Sequence, residues 1–371
     1  MNVRSEAAHA DQRFMDLALT LGRRGLGRTW PNPAVGAVIV ANGIIAGRGW
    51  TQAGGRPHAE VEALRRAGDA ARSATLYVTL EPCSHHGKTP PCADAVIAAG
   101  IKRVVSALED PNPKVAGEGH RRLIAAGIDV DIGVGAQAAR HDHAGHIRRV
   151  RDGRPNVMLK LAVSADGKVA AAGRRPMAIT GREVRDRVHL LRAQSDAIMI
   201  GIGTALADDP LLTCRLPGLE KDSPVRVVID ANLRLPVGSR LVQTARDVPL
   251  WVIAGSDAAA ANERALSAAG ADIMRVPSRG TQLDISSALK ALAERGVTRL
   301  MVEGGPTLAA SLVAADLVDE AMLFRSPKVV GADGIDALEA LPLAALIDSP
   351  VLPRVKSELV GADTWDVFER K

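Results

Sequence analysis

At 371 residues the chain is long enough for two domains that each bury a core of their own. Nearly half the residues are apolar, and aliphatic side chains supply most of that share, which excludes a disordered chain. A formal charge of +5 is small for this length, and the Arg and Lys residues are scattered. That argues against nucleic acid as a partner and suits a small phosphorylated substrate.

Three cysteines are too few for a disulfide framework and fit a reducing compartment. Residues 1–13 lack the apolar core of a secretory signal, and no run of about 18 apolar residues exists to span a membrane. The expected location is cytoplasmic.

The first expected element is a helix over Asp11–Leu21, with Phe14, Leu17, Ala18 and Leu21 on one face. Trp30-Pro31-Asn32-Pro33 forms a rigid turn before a buried strand, Ala34–Val40. Asn42-Gly43 signals a hairpin, and Ile44–Trp50 returns antiparallel. A helix over His58–Ala67 stops at Gly68. The strand Thr75–Leu80 then delivers Glu81-Pro82-Cys83, and Pro91 opens a helix over Cys92–Ala99. The strand Ile101–Leu108, a helix near Glu118–Ala126 and the strand Ile128–Val134 complete an α/β layer with a largely parallel sheet.

His58-Ala59-Glu60, Glu81-Pro82-Cys83 and Pro90-Pro91-Cys92 carry the chemistry of this half. A His and two Cys can hold zinc and leave a fourth tetrahedral position for water, the pattern of a catalytic site. Zinc lowers the pKa of such a water to about 7. Glu60, two residues after the His and not a ligand, is placed to carry protons between that water and a substrate ring nitrogen. A helix start at Cys92 is expected to favour its thiolate. His-x-Glu followed by Pro-Cys and a second Cys marks zinc deaminases, but here eight residues, not two, separate the cysteines. His85 and His86 read as loop residues facing substrate or solvent. His141, His143 and His146, with the basic stretch that follows them, read as a solvated connector.

The spacer Ser84-His85-His86-Gly87-Lys88-Thr89-Pro90-Pro91 and the turn Asn32-Pro33-Ala34-Val35-Gly36 resemble the deaminase half of the bifunctional riboflavin-biosynthesis deaminase–reductases. The resemblance implies a cytidine-deaminase-like domain in which Asn32 and Lys88 contact substrate. Many members carry a His where this chain has Thr51.

Arg148–Pro155 is polar and broken by Gly153 and Pro155. The domain boundary is placed there, giving domains 1–150 and 151–371. Beyond it, strands are expected at Asn156–Ala162, Asp196–Ile202, Val225–Ile229, Leu250–Ile253, Ile273–Val276 and Val297–Val302. Helices are expected at Glu183–Gln194, Ala259–Ala268 and Ile285–Arg295, and a closing hairpin pairs Lys356–Val360 with Trp365–Glu369. Glu303-Gly304-Gly305-Pro306-Thr307 follows a strand and opens a helix, where backbone N–H groups can hold a phosphate.

Lys160-x-Ala-x-Ser-x-Asp-Gly-Lys, Leu191-Arg192-Ala193, Gly203-Thr204, Asp208-Asp209-Pro210-x-Leu212-Thr213-x-Arg215 and the Glu303–Thr307 segment recur in the order of that family's reductase half. The resemblance covers nearly the whole chain and implies a dihydrofolate-reductase-like second domain. It implies NADPH at Val163, Thr204, Asp208, Gly305, Pro306 and Thr307. Substrate would lie at Lys160, Arg192, Leu212, Arg215 and Glu303, with the two arginines able to grip a ribose phosphate. Where the family often has Trp, this chain has Ala178.

The implied function is zinc-dependent hydrolytic deamination of 2,5-diamino-6-ribosylamino-4(3H)-pyrimidinone 5′-phosphate, followed by NADPH-dependent reduction of the ribosyl group to ribityl. A nucleic-acid-editing zinc deaminase fused to a non-catalytic module would call for a concentrated basic surface and the short Cys spacing, and neither is present. A zinc-stabilised binding protein would have no use for Glu60. No membrane partner is expected, and exposed sheet edges leave room for a homo-oligomer.

Overall fold

A computed structural model describes residues 3–87, 89–113, 115–175, 177–279, 282–339 and 341–371. The chain divides into two compact units, residues 1–153 and 154–371.

In the first unit a helix α1 (Val3–Gly22) precedes the hairpin β1 (Gly36–Ala41) and β2 (Ile44–Trp50). Asn42 and Gly43 both take positive φ at its turn, as a tight two-residue connection requires. Then come α2 (Ala59–Ala67), β3 (Thr75–Val78), α3 (Cys92–Ala98), β4 (Arg103–Ser106), α4 (Glu118–Ala125) and β5 (Asp129–Ile132), closed by α5 (Ala136–Asp142) and α6 (Ala144–Asp152). The sheet order is β2-β1-β3-β4-β5. It is mixed, not largely parallel: β1 runs antiparallel to both β2 and β3, and only the β3–β4 and β4–β5 pairs are parallel. The entry hairpin forces this, because a two-residue turn can only reverse the chain.

Glycines let the helices lie close on this sheet. A Cβ on Gly36 would stand 1.8 Å from the Ala18 carbonyl oxygen of α1. On Gly47 and Gly49 it would stand 2.2 and 2.1 Å from the Ala63 and Ala59 oxygens of α2. The stretch read as a connector is instead ordered structure. α6 runs through Arg148–Asp152, ending at Gly153 in the left-handed region. His143 is buried with its Nε2 3.1 Å from Thr79 Oγ1, and His146 pairs with Asp110 at 3.7 Å. Their neighbours, Thr79 just after β3 and Asp110 in the loop after β4, lie far away in sequence, which local polarity does not reveal.

The second unit begins with β6 (Asn156–Val163), β7 (Lys168–Ala170), α7 (Arg182–Ala193), β8 (Ala197–Gly201), α8 (Ile202–Asp208), β9 (Val225–Ile229), α9 (Arg240–Gln243), β10 (Leu250–Gly255), α10 (Ala260–Ala268) and β11 (Asp272–Val276). A short ribbon, β12 (Ser278–Arg279) and β13 (Gln282–Leu283), leads to α11 (Ile285–Glu294), β14 (Arg299–Val302), α12 (Pro306–Ala314), β15 (Glu320–Arg325), β16 (Ile335–Asp336) and α13 (Ala344–Ile347). The hairpin β17 (Arg354–Val360) and β18 (Asp363–Glu369) closes the chain.

The large sheet has the order β11-β10-β9-β8-β14-β6-β15-β18-β17. It is parallel from β11 to β15, and the final hairpin adds an antiparallel edge. β8, β14 and β6 occupy its centre, so the loops at their carboxyl ends converge. No helix among the described residues is long and apolar enough to cross a membrane.

Candidate active sites

In the first unit three donor atoms come together. His58 is the N-cap of α2, Cys83 follows β3, and Cys92 is the first residue of α3. His58 Nδ1 lies 3.7 Å from Cys83 Sγ and 3.3 Å from Cys92 Sγ. Tetrahedral zinc with Zn–S near ~2.3 Å and Zn–N near ~2.1 Å sets an S···N edge of about 3.6 Å, so this donor set fits the ion.

The start of α3 acts on the neighbouring cysteine. A hydrogen bond from Cys92, together with His58 and the Cys92 backbone N–H at 3.3 Å, brings the Cys83 thiol down to about 4. Cys92 is pushed up by its bond to Cys83 and by burial. The N–H at the start of α3 thus bears on the Cys83 sulfur, while zinc ligation would call for both thiolates. The bond to Cys83 raises His58.

Glu60 sits in the first turn of α2, 3% exposed. Burial pushes its carboxyl up to about 7, against the opposing pull of His58. Asn32 donates Nδ2 to the Gly55 carbonyl at 2.8 Å, which brings it to 3.4 Å from His58 Nε2. Gly55 has φ +84°, and a Cβ there would meet Asn32 Nδ2 at 2.8 Å. Thr51 is buried and accepts the Val35 N–H at 3.0 Å, so the residue that departs from the family pattern holds the Asn32-Pro33 turn in place. His85 and His86 are exposed, whereas Lys88 lies outside the described residues.

Glu81 carries a task that the motif alone does not show. Its Oε2 accepts the N–H groups of Asp110 and Gly117, each at 2.9 Å, and its Oε1 accepts that of Gly119 at 2.7 Å. This buried cradle fixes the chain two residues before Cys83 and caps the start of α4.

In the second unit a cavity of about 370 Å³ is lined by Lys160, Thr204, Asp208, Glu303, Gly305 and Pro306, among others. A Cβ on Gly305 would stand 2.8 Å from Thr204 Oγ1, so the backbone before α12 lies directly on α8. A glycine backbone against a hydroxyl, beside the N-terminus of a nine-residue helix, fits the phosphates of a dinucleotide. Ala178, with Met177 and Ile179, gives this cavity an apolar wall without an aromatic ring. Burial raises the Asp208 carboxyl. Val163 is buried at the end of β6, and Thr307 turns its hydroxyl to Glu339 at 2.7 Å; neither lines the cavity.

Arg192, Leu212 and Arg215 also lie outside that lining. Arg192 forks onto Glu303, Nε to Oε1 at 2.6 Å and Nη2 to Oε2 at 2.9 Å, while Nη1 donates to the Thr213 carbonyl at 3.0 Å. Three of its five N–H groups are thus engaged within the protein. Arg215 has no ion-pair partner among the described residues. Burial tends to raise Glu303, but Arg192 and Lys160 bring it below the usual carboxylate range. Lys160 Nζ is 4.0 Å from Glu303, and burial lowers its pKa.

Comparison with known proteins covers both halves. Residues 8–108 match the cytidine and deoxycytidylate deaminase zinc-binding region, and residues 155–363 match the RibD C-terminal domain. The riboflavin biosynthesis protein RibD of Escherichia coli is 41% identical over 95% of this chain and 97% of its own length. The RibD of Aquifex aeolicus is 39% identical over 97% and 98%. Among solved structures, Acinetobacter baumannii RibD superposes with a TM-score of 0.87 at 33% identity, covering 98% of this chain and 99% of that one. The Thermotoga maritima diaminohydroxyphosphoribosylaminopyrimidine deaminase/5-amino-6-(5-phosphoribosylamino)uracil reductase gives 0.85 at 34%, covering 98% and 100%.

Proposed function

The chain belongs to the RibD family of riboflavin-biosynthesis deaminase–reductases, and on that premise we propose how its residues divide the work. It is a bifunctional enzyme, a zinc deaminase joined to an NADPH-dependent reductase. The proposed substrate is 2,5-diamino-6-ribosylamino-4(3H)-pyrimidinone 5′-phosphate.

In the deaminase half His58, Cys83 and Cys92 hold zinc, which when bound supplies a Lewis acid that makes water a nucleophile at neutral pH. Asn32, pinned by Gly55, orients the pyrimidine. Glu60 takes a proton from the attacking water and gives it to the ring nitrogen beside C2. It then takes the hydroxyl proton of the C2 adduct and passes it to the departing amine, so that ammonia leaves and C2 becomes a carbonyl. A carboxyl near pH 7 can both accept and release a proton under these conditions.

In the reductase half Thr204, Asp208, Gly305 and Pro306, with Val163 and Thr307 behind them, hold NADPH, which supplies a hydride for the sugar C1′. Glu303 and Lys160 face the ribose. Lys160 Nζ gives its proton to the ring oxygen as the C1′–O bond opens, a transfer that its lowered pKa favours. Arg215, beside Leu212, receives the phosphate.

The observation that carries this reading is the buried Glu60 beside the His58, Cys83 and Cys92 donor set. Glu60→Gln keeps the shape and removes the proton carrier. It is expected to retain zinc by elemental analysis, lower ammonia release by about 100- to 10,000-fold, and leave reduction of separately deaminated ribotide unchanged. Ammonia release at the unaltered rate would contradict the assignment.

A further inference from the structure

His189 lies on α7, three residues before Arg192, outside every residue assigned above. Its Nδ1 accepts the backbone N–H of Arg215 at 3.3 Å. Arg192 Nη1 donates to the Thr213 carbonyl at 3.0 Å. Helix α7 therefore grips the 213–215 segment from two side chains one helical turn apart. The segment needs such bracing, because Leu212 just before it is held at φ +56°, a costly conformation for a residue with a Cβ. The brace ends on the backbone of Arg215, which has no carboxylate partner among the described residues.

We propose that His189 is a positioning residue for the reductase: its neutral ring fixes the Leu212–Arg215 segment and so sets affinity for the phosphate group of the ribotide. This rests on the reductase reading above and concerns only how the phosphate end is held. The acceptor lone pair on Nδ1 exists in the neutral ring alone, since an imidazolium would oppose N–H to N–H. The charged groups facing the ring are Arg192 on its own helix, Arg215 on the braced segment and Glu303 after β14. Burial, then the two guanidiniums, keep the ring neutral to lower pH than a free imidazole, with Glu303 opposing.

The test uses the full zinc-loaded chain with His189→Leu and His189→Gln, measuring steady-state reduction of deaminated ribotide. His189→Leu should raise KM for ribotide about tenfold, the scale of one lost hydrogen bond, with kcat and KM for NADPH almost unchanged. His189→Gln keeps an acceptor oxygen and should recover much of that loss. In the unaltered enzyme, ribotide kcat/KM should fall as pH drops through a value below the ordinary imidazole range, and this acid limb should vanish in His189→Leu. An unchanged ribotide KM, an equal loss of NADPH affinity, or a Gln variant no better than Leu would overturn the bracing role. Failure of the unaltered enzyme to oxidise NADPH with ribotide would overturn the reductase reading itself, and this proposal with it.

Discussion

Glu81 and Asp11 are buried carboxylates whose partners lie far along the chain. Replacing Glu81 by Ala would leave the N–H groups of Asp110, Gly117 and Gly119 without their acceptor. Each unsatisfied buried group costs about 1–3 kcal/mol, so a loss of at least about 3 kcal/mol is expected in denaturant melts, together with weaker zinc retention. Asp11 accepts from Tyr77 Oη at 2.7 Å and bidentately from Arg103 at 2.9 and 2.7 Å. Burial alone would raise its carboxyl, but Arg103 and Tyr77 bring it below the usual range. A carboxyl depressed on folding contributes stability that is present above its unfolded pKa, about 3.9, and is lost as pH falls through the folded value. Asp11→Asn should therefore be destabilising at pH 7, and its gap from the unaltered protein should close below about pH 4; a constant gap would refute the pairing. His58, Glu60, Cys83 and Cys92 were legible in the sequence because metal ligation and proton transfer demand particular residue types. The tasks of Glu81, Asp11 and His189 were not, because each depends on a partner that only folding brings near.

Elements of regular period such as β9 at Val225–Ile229 and the closing hairpin were readable in the same way, whereas the strand β15 at Glu320–Arg325 was not anticipated. Nor was helix α8, which carries Thr204 and Asp208. Its seven residues are too few to establish a period, and only Ile202 and Ala205 are buried. The fit of α2 on β2 was equally hidden, since glycine in a strand reads as a weakness until the helix backbone is seen against it. Gly49→Ala would place a methyl 2.1 Å from the Ala59 oxygen, one residue from His58. The clash is with backbone, so α2 must shift. A stability loss of at least about 1–3 kcal/mol is expected, accompanied by looser zinc binding. Unaltered melting and zinc content in the Gly49→Ala variant would show that this approach does not position the site.

Each unit carries its own core. One surrounds Val38, Ile39, Leu76 and Val104, and others lie around Ile198, Val228 and Val252 and around Val188, Met301 and Phe324. Each also carries its own site, and the two chemistries are ordered by their substrates: deamination makes the ribotide that the second half reduces. The order was implied by the family's motifs in sequence. The fork of Arg192 onto Glu303 came only from the structure. The most direct measurement mixes zinc-loaded protein with the diaminopyrimidine ribotide and follows ammonia and NADPH absorbance together. Ammonia release that needs no NADPH, with NADPH oxidation beginning only as deaminated ribotide accumulates, is the predicted result. NADPH oxidation that precedes ammonia, or no ammonia at all, would contradict the account.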